Sequence, residues 1–486
     1  MRTVVLIVAT ALLRWIVANT TGLSDTEAYY AGWARFPALS YYDHPPLVAW
    51  TTRLLAGVGG SVGAVRLGPV VYSALFDALV YRLATRLFSP RAGFTAVAIV
   101  AAIPVFFFTG LVLNPEGLLA PLWFLFLLLL LDLRDKDEAW RPLAVGAVVG
   151  VAFLAKYTAV LALPVTLLFV AGSPATRRWL RRPSFYAAGL LALAIAAPVI
   201  AWNATRHWPS LHLHLSERMS GASAETFAHA VWRVLIAQVV YFQPIILPAL
   251  LAVLGVALVR SRRDPRYLFL ATASLPVLAF LLTVMVRASD SEPHWTMMAY
   301  APLAVAAGGL LDESSGALRK VARVTFRLAM VPSTIMVALY VIHVRSPVLI
   351  EALPSYDPAV DPINETLGWD AVSDAVRAHA AAQGPRAVVA AAHNVLCGHV
   401  LFAIGDSPAV YCPSDRRTEF DFMGRRTPPV DAPVVFVDSD RYPADLARAL
   451  PAHVCAPAQS VNIDRSGLVV ARYWVHDCAP RSGGSP

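Results

Sequence analysis

The chain has 486 residues, 57% of them hydrophobic and 15% charged, and a mean hydropathy of +0.58. A soluble domain carries roughly 25% charged residues, so the composition excludes an ordinary water-soluble protein and implies a polytopic membrane protein. The formal charge of +8 and pI near 9.4 do not mark a nucleic-acid partner, because the Lys and Arg residues form short clusters between apolar stretches rather than one patch.

A helix needs about 20 mostly apolar residues to cross a bilayer. In chain order, eleven stretches are candidates: 3–18, 63–84, 92–110, 117–132, 142–155, 158–172, 184–202, 231–258, 267–286, 297–311 and 324–343. The first lacks a small-residue cleavage site and is followed by many more spans, so it reads as a retained helix rather than a signal peptide. Segment 142–172 can also divide differently. Threading the spans from a cytoplasmic N-terminus places Arg86 and Arg91, then Arg134, Lys136 and Arg141, then Arg177, Arg178, Arg181 and Arg182 on the inner side. Arg260, Arg262, Arg263 and Arg266, and Arg319, Lys320 and Arg323, fall there too. The opposite connections are sparse in Lys and Arg, as positively charged inner loops require. An odd number of spans leaves everything after Arg345 outside.

The outer connections are 19–62, a short one at Asn114-Pro115-Glu116, a junction at Lys156-Tyr157, 203–230 and 287–296. Segment 44–58 is moderately apolar and reads as a short helix along the interface. Loop 203–230 reads the same way, with Trp202 and Trp208 at headgroup level. No repeat is visible across the membrane part (1–344), which counts against an inverted-repeat transporter.

From 345 the composition changes. Segments 387–391, 409–412, 433–438 and 468–475 read as strands, and 370–382 and 444–450 as helices, giving a small α/β domain over 345–480. Residues 481–486 read as a disordered tail. All four cysteines, Cys397, Cys412, Cys455 and Cys478, lie in this domain. An even number confined to one soluble segment points to two disulfides in an oxidising compartment, which independently asks for the outer side. Buried free thiols are the alternative.

Ionisable groups beside apolar spans are functional candidates, because their placement costs stability. Asp25-Thr26-Glu27-Ala28-Tyr29-Tyr30 and Tyr41-Tyr42-Asp43-His44-Pro45-Pro46 gather three carboxylates, a histidine and four tyrosines just after the first span. Asp25 and Glu27, two apart, suit an extended loop in which they point apart and take separate roles; partial desolvation tunes such a carboxylate as a general base. Ordinary solvated loop acids are the alternative. Pro45-Pro46 holds Asp43 and His44 in a rigid turn, where His44 can bind a phosphate or pair with Asp43 around a divalent metal. Glu116 costs free energy unless it faces a cavity or caps the following helix. Lys156, alone among apolar residues, suits an anionic lipid headgroup or snorkels to the interface. Arg287 can grip a phosphate with two donors, and His294 is a second phosphate or metal group.

The elements Asp25-Thr26-Glu27-Ala28-Tyr29-Tyr30, Leu39-Ser40-Tyr41-Tyr42-Asp43-His44-Pro45-Pro46, Ala64-Val65-Arg66-Leu67, Asn114-Pro115-Glu116, Lys156-Tyr157-Thr158 and Pro293-His294-Trp295 resemble the bacterial dolichyl-phosphate-mannose-protein mannosyltransferase-like enzymes. These are family 39-type glycosyltransferases of the GT-C superfamily, with the lipid A aminoarabinose transferases as relatives. The resemblance covers most of the chain and is strongest over 25–175. It implies transfer of a sugar from a polyprenyl-phosphate donor to a lipid, glycan or protein acceptor at the outer face of the plasma membrane, among membrane lipids and without an organic cofactor. It assigns the base to Asp25, the donor phosphate or a divalent metal (Mg, Mn or Zn) to Asp43 and His44, and tentatively a further metal ligand to His212 or His214. Glu116 stands where Asp is commoner in the family and takes the second acid's place more loosely. Lys156, His44, Arg287 or a metal would stabilise the charge growing on the phosphate leaving group, and one displacement with one base implies inversion. The competing expectation is a transporter or flippase of lipid-linked sugars, whose polar groups would run through the midplane instead of gathering at one face.

Overall fold

The computed structural model describes residues 1–220, 226–288, 290–346, 350 and 355–481. The expected disordered tail falls mostly outside the described residues. A helical bundle ends in the long helix Gly316–Arg345, and a six-stranded α/β domain follows.

Helices Val62–Leu87, Pro115–Asp135, Pro183–Ala204 and Pro265–Arg287 and the segment Arg323–Arg345 are long and apolar enough to cross a membrane. The other expected spans are shorter or interrupted. The stretch 92–110 breaks at Ile103-Pro104, where helix Pro90–Ala102 gives way to Pro104–Thr109. The expected span 231–258 is instead two helices, Phe227–Phe242 and Ile246–Arg260, meeting at 101°. Gln243 sits at the corner with φ 75°, and its side-chain oxygen accepts from the backbone of Ile245 and Ile246, each at 2.7 Å. A side chain thus replaces the backbone partners lost at the break.

Helix Met297–Glu313 is buried along most of its length, from Met297 to Gly309. Its Gly308 lies against helix Pro90–Ala102 so closely that a Cβ would come within 2.5 Å of the Ala92 carbonyl oxygen. Helix Pro183–Ala204, by contrast, is mostly exposed, as a lipid-facing helix must be. One polar clamp inside the bundle went unmarked in the sequence reading. Arg14 and Asp77 form a 3.0 Å ion pair between the first helix and Val62–Leu87, with both side chains at most 1% exposed.

In the C-terminal domain β1 (Val388–Ala391) lies between β2 (Val410–Tyr411) and β3 (Val434–Ser439), parallel to both. β6 (Leu468–Pro480) runs antiparallel to β3 and also pairs with β4 (His453–Cys455) and β5 (Gln459–Arg465). The first three strands and β6 match the expected segments. β4, β5 and the apolar helix Asn394–Ile404 were not foreseen, and the expected helix 444–450 shrinks to the turn Leu446–Ala449. The disulfides are Cys397–Cys412 and Cys455–Cys478, the second joining directly opposed residues of β4 and β6.

This domain sits on the first outer segment. A Cβ on Gly398 would come within 2.7 Å of the Tyr29 Cα, and one on Gly22 within 2.3 Å of the Thr366 carbonyl oxygen. Bare backbone at both points lets the domain touch the bundle directly, and Gly398 is followed by His399.

Candidate active site

Asp25 and Glu27 do not lie in an extended loop. They open the helix Asp25–Trp33, in which Ser24 is the N-cap and Glu27 accepts from the Ser24 backbone at 2.9 Å. Acids in a first turn suit the positive end of the helix dipole. Their side chains still part company, as expected.

Glu27 is fully buried. Arg66 grips it with two donors, at 3.0 and 2.6 Å, and the backbone N–H of Leu113 adds a third contact at 2.9 Å. The same guanidinium reaches the carbonyls of Ala18 and Gly22, at 2.6 Å each, where the first span ends. Both oxygens of Glu27 are thus held by the surrounding framework, an arrangement that suits positioning of the helix.

Asp25 faces the C-terminal domain. One oxygen meets His399 Nε2 at 3.0 Å and the other accepts the Tyr442 hydroxyl at 2.5 Å, with Arg441 Nη1 4.0 Å away. His399 is held flat against Trp369, the ring centroids 3.8 Å apart. Burial alone would raise the Asp25 pKa, but the His399 and Tyr442 hydrogen bonds and the His399 and Arg441 charges outweigh it and hold the group below the usual carboxylate range. Glu365 accepts the Asp25 backbone N–H at 3.3 Å and pairs with Arg441 at 3.1 Å. Burial, then the Asp25 charge, raises Glu365 to about 7. A cavity of about 230 Å³ opens at Asp25 and runs along the C-terminal domain.

One turn along the same helix, Tyr29 donates to Asp43 at 2.8 Å and accepts the backbone N–H of Glu419 at 2.8 Å. Glu419 in turn accepts from the Tyr42 backbone at 2.5 Å. The ring of Tyr30 lies edge-on to His44. His44 is buried, and its Nδ1 meets no hydrogen-bond partner among the described residues. Around it stand Lys156, His214, Arg218 and His294, and burial together with these neighbours pushes His44 well below the usual imidazole range. Burial and the Lys156 charge likewise bring His294 down to about 4.

Lys156 occupies an extended residue between helix Arg141–Ala155 and the turn Tyr157–Leu161. It forms an ion pair with Glu116, whose other neighbour is His294 Nε2 at 3.1 Å. Glu116 sits in the first turn of Pro115–Asp135, which Asn114 caps through a 2.6 Å bond from Gly117. The ring of Trp295 lies 5.5 Å from Lys156 Nζ and 5.8 Å from the Arg218 guanidinium. Asp43, His44, Glu116, Lys156, His214 and His294 therefore gather into one basic cluster.

Two expected members lie elsewhere. His212 is exposed and bonds Glu217 at 3.0 Å, and Arg287 is exposed at the end of its helix. Arg218, one residue past the π-helical turn Leu213–Glu217, stands where Arg287 was expected and contacts His214 Nδ1 at 3.3 Å. The expected metal set of Asp43, His212 and His214 is not assembled. His214 meets the Asp43 backbone carbonyl at 2.9 Å rather than its carboxylate, which Tyr29 holds. Among the described residues no three His, Cys, Asp or Glu side chains group as a metal site, and Lys156 and Arg218 beside these ligands disfavour a second cation.

His399, Tyr442, Arg441 and Glu365 escaped the sequence reading, since His, Tyr, Arg and Glu are ordinary in a soluble domain. One signal was present. His399 is the single ionisable residue of the apolar stretch Val395–Ile404.

A membrane bundle roofed by a small α/β domain holds a buried acid and a basic cluster where the two meet, and its overall fold is that of known GT-C membrane proteins. Residues 43–202 match the dolichyl-phosphate-mannose-protein mannosyltransferase family. The chain is 28% identical over 305 residues to the lipid A galacturonosyltransferase RgtD of Rhizobium johnstonii, a match spanning 58% of this chain and 59% of the relative's length. The crystal structure of ArnT from Cupriavidus metallidurans bound to undecaprenyl phosphate superposes with a TM-score of 0.64 at 19% identity, covering 99% of both chains. The apo form of that protein gives 0.60 at 18%, covering 97% of both. The chain thus has the GT-C fold, and its sequence is related to a lipid A galacturonosyltransferase and, over 43–202, to the mannosyltransferase family.

Proposed function

We propose that this chain is a plasma-membrane glycosyltransferase that moves a sugar from a polyprenyl-phosphate donor to an acceptor hydroxyl at the outer face, with inversion. The single observation that carries this reading is the helix Asp25–Trp33: a buried carboxylate beside a cavity stands at its start, and Tyr29 and Tyr30 one turn on meet the two ends of Asp43-His44. The acceptor oxygen attacks the anomeric carbon as its proton passes to Asp25. The bond from that carbon to the phosphate oxygen breaks, and the electron pair leaves on the lipid phosphate.

Asp25, held below the usual carboxylate range, is ionised at neutral pH and ready to accept that proton. At the other end, burial and the charges of Lys156 and Arg218 hold His44, His214 and His294 largely neutral, and a phosphate relieves that conflict while gaining charge-assisted hydrogen bonds. Helices around the basic cluster offer the polyprenyl tail an apolar bed. The inner-side Lys and Arg clusters and the two disulfides support a cytoplasmic N-terminus and a periplasmic or extracellular C-terminal domain. The lipid A activity of the sequence relative favours an envelope lipid as acceptor over a protein.

The test is Asp25→Asn in the native host with its own copy deleted, followed by mass spectrometry of envelope lipids, glycans and proteins. A base supplies about 100- to 10,000-fold, so the glycosylated product should vanish while the protein is present at normal level. Unchanged product would overturn the assignment.

A further inference from the structure

The two ends of the helix Asp25–Trp33 differ in charge, and the difference bears on the acceptor. The wall of the cavity at Asp25 is otherwise built by the C-terminal domain and contains no residue of the basic cluster. Its ionisable lining is Asp25, Asp357, Glu365, Asp440, Arg441 and Arg472. Carboxylates outnumber guanidiniums by four to two, and Arg441 is already paired with Glu365 at 3.1 Å. Asp357 and Asp440 are exposed at the mouth. The Tyr442 hydroxyl and the rings of Trp369 and Tyr473 complete the wall.

From these observations, and resting on the transferase reading above, we infer that this cavity is the acceptor subsite and that it takes a neutral sugar ring through its hydroxyls, not a phosphate. Carboxylate oxygens accept hydrogen bonds and donate none, so a polyol satisfies them while a phosphate does not. A phosphate beside Asp25 would meet repulsion from the base itself, and the guanidinium nearest to it, Arg441, already pairs with Glu365. A sugar hydroxyl entering the cavity reaches the Asp25 oxygen now bonded to Tyr442. Displacing the Tyr442 hydroxyl leaves His399 on the other oxygen to keep the carboxylate aimed. The product is an O-glycoside on a sugar carbon. The O–H bond of the acceptor breaks, a carbon–oxygen bond to the donor sugar forms, and polyprenyl phosphate departs.

Two measurements test this. Ala359 lines the cavity, is exposed and touches neither Asp25 nor the basic cluster, so Ala359→Trp plugs the acceptor side alone. Expressed in the deletion host, it should lower the product at least tenfold, while the purified protein binds undecaprenyl phosphate as wild type does. Product at the wild-type level with Ala359→Trp would overturn the subsite. The second measurement needs no variant: the added sugar should survive mild acid hydrolysis of the wild-type product, as a glycoside does. Release of the sugar by mild acid, as from a glycosyl phosphate, would overturn the hydroxyl acceptor. Failure of the transferase reading itself looks different, because Asp25→Asn would then still yield product.

Discussion

The two ends of one nine-residue helix make the instructive comparison. At its start, Asp25 is held almost wholly by the C-terminal domain, through His399, Tyr442, Arg441 and Glu365. One turn later, Tyr29 and Tyr30 face Asp43 and His44, whose other neighbours Lys156, Arg218 and His294 come from the membrane part. The base end depends on the docked domain, whereas the phosphate end meets that domain through Glu419 and otherwise depends on how helix ends and loops of the bundle converge. A perturbation of docking should therefore weaken the first more than the second.

The largest expected effect breaks both ends at once. Glu27 and Arg66 fix the helix that carries them, and their pair is buried. Glu27→Ala leaves a buried guanidinium unpaired, which costs about 3–5 kcal/mol. Thermal unfolding in detergent should fall steeply, and a change within error would remove the positioning role assigned to Glu27.

A smaller and more selective break comes from Gly398→Ala. The added methyl meets the Tyr29 backbone, and overpacking of this kind costs about 1–3 kcal/mol. It should loosen the domain, seen as faster release of the C-terminal domain by limited proteolysis, and lower transfer more than undecaprenyl phosphate binding. Equal loss of binding and transfer would mean that the two ends are not separable.

The smallest effect is a pH dependence. Glu365 has a folded pKa of about 7 against an ordinary 4.5, so the folded protein holds a proton that the unfolded chain has released. The stabilising proton is fully present below pH 4.5, and stability declines as pH rises from there through about 7. Glu365→Gln should flatten that decline in unfolding midpoints measured across the window. An unchanged slope would show that Glu365 does not hold the proton.

The phosphate end was the more legible in sequence. In a chain with 15% charged residues, Glu116 and Lys156 stand out because a bilayer penalises them, and the Pro-Pro turn marks Asp43 and His44. The base end was half legible. Asp25 was visible for the same reason, but its partners lie more than 300 residues away and only the fold brings them together. Arg218 replaced Arg287 because a π-helical turn in the 203–230 loop re-aims the chain, and no periodicity announces such a turn. Gln243 broke an expected span for a related reason: a polar residue in an apolar run reads as tolerable until its side chain is seen capping a new helix.

The most direct test of the central claim is a paired measurement on the purified full-length protein. Sugar transfer and undecaprenyl phosphate binding are measured for Asp25→Asn and Arg218→Met side by side. The account predicts that Asp25→Asn loses transfer by about 100-fold or more and keeps wild-type lipid affinity. Arg218→Met, lacking one charge-assisted contact of about 1.5–3 kcal/mol, should bind the lipid phosphate at least tenfold more weakly. Loss of lipid affinity in Asp25→Asn, or undiminished affinity in Arg218→Met, would contradict the division of base and phosphate between the two ends of the helix.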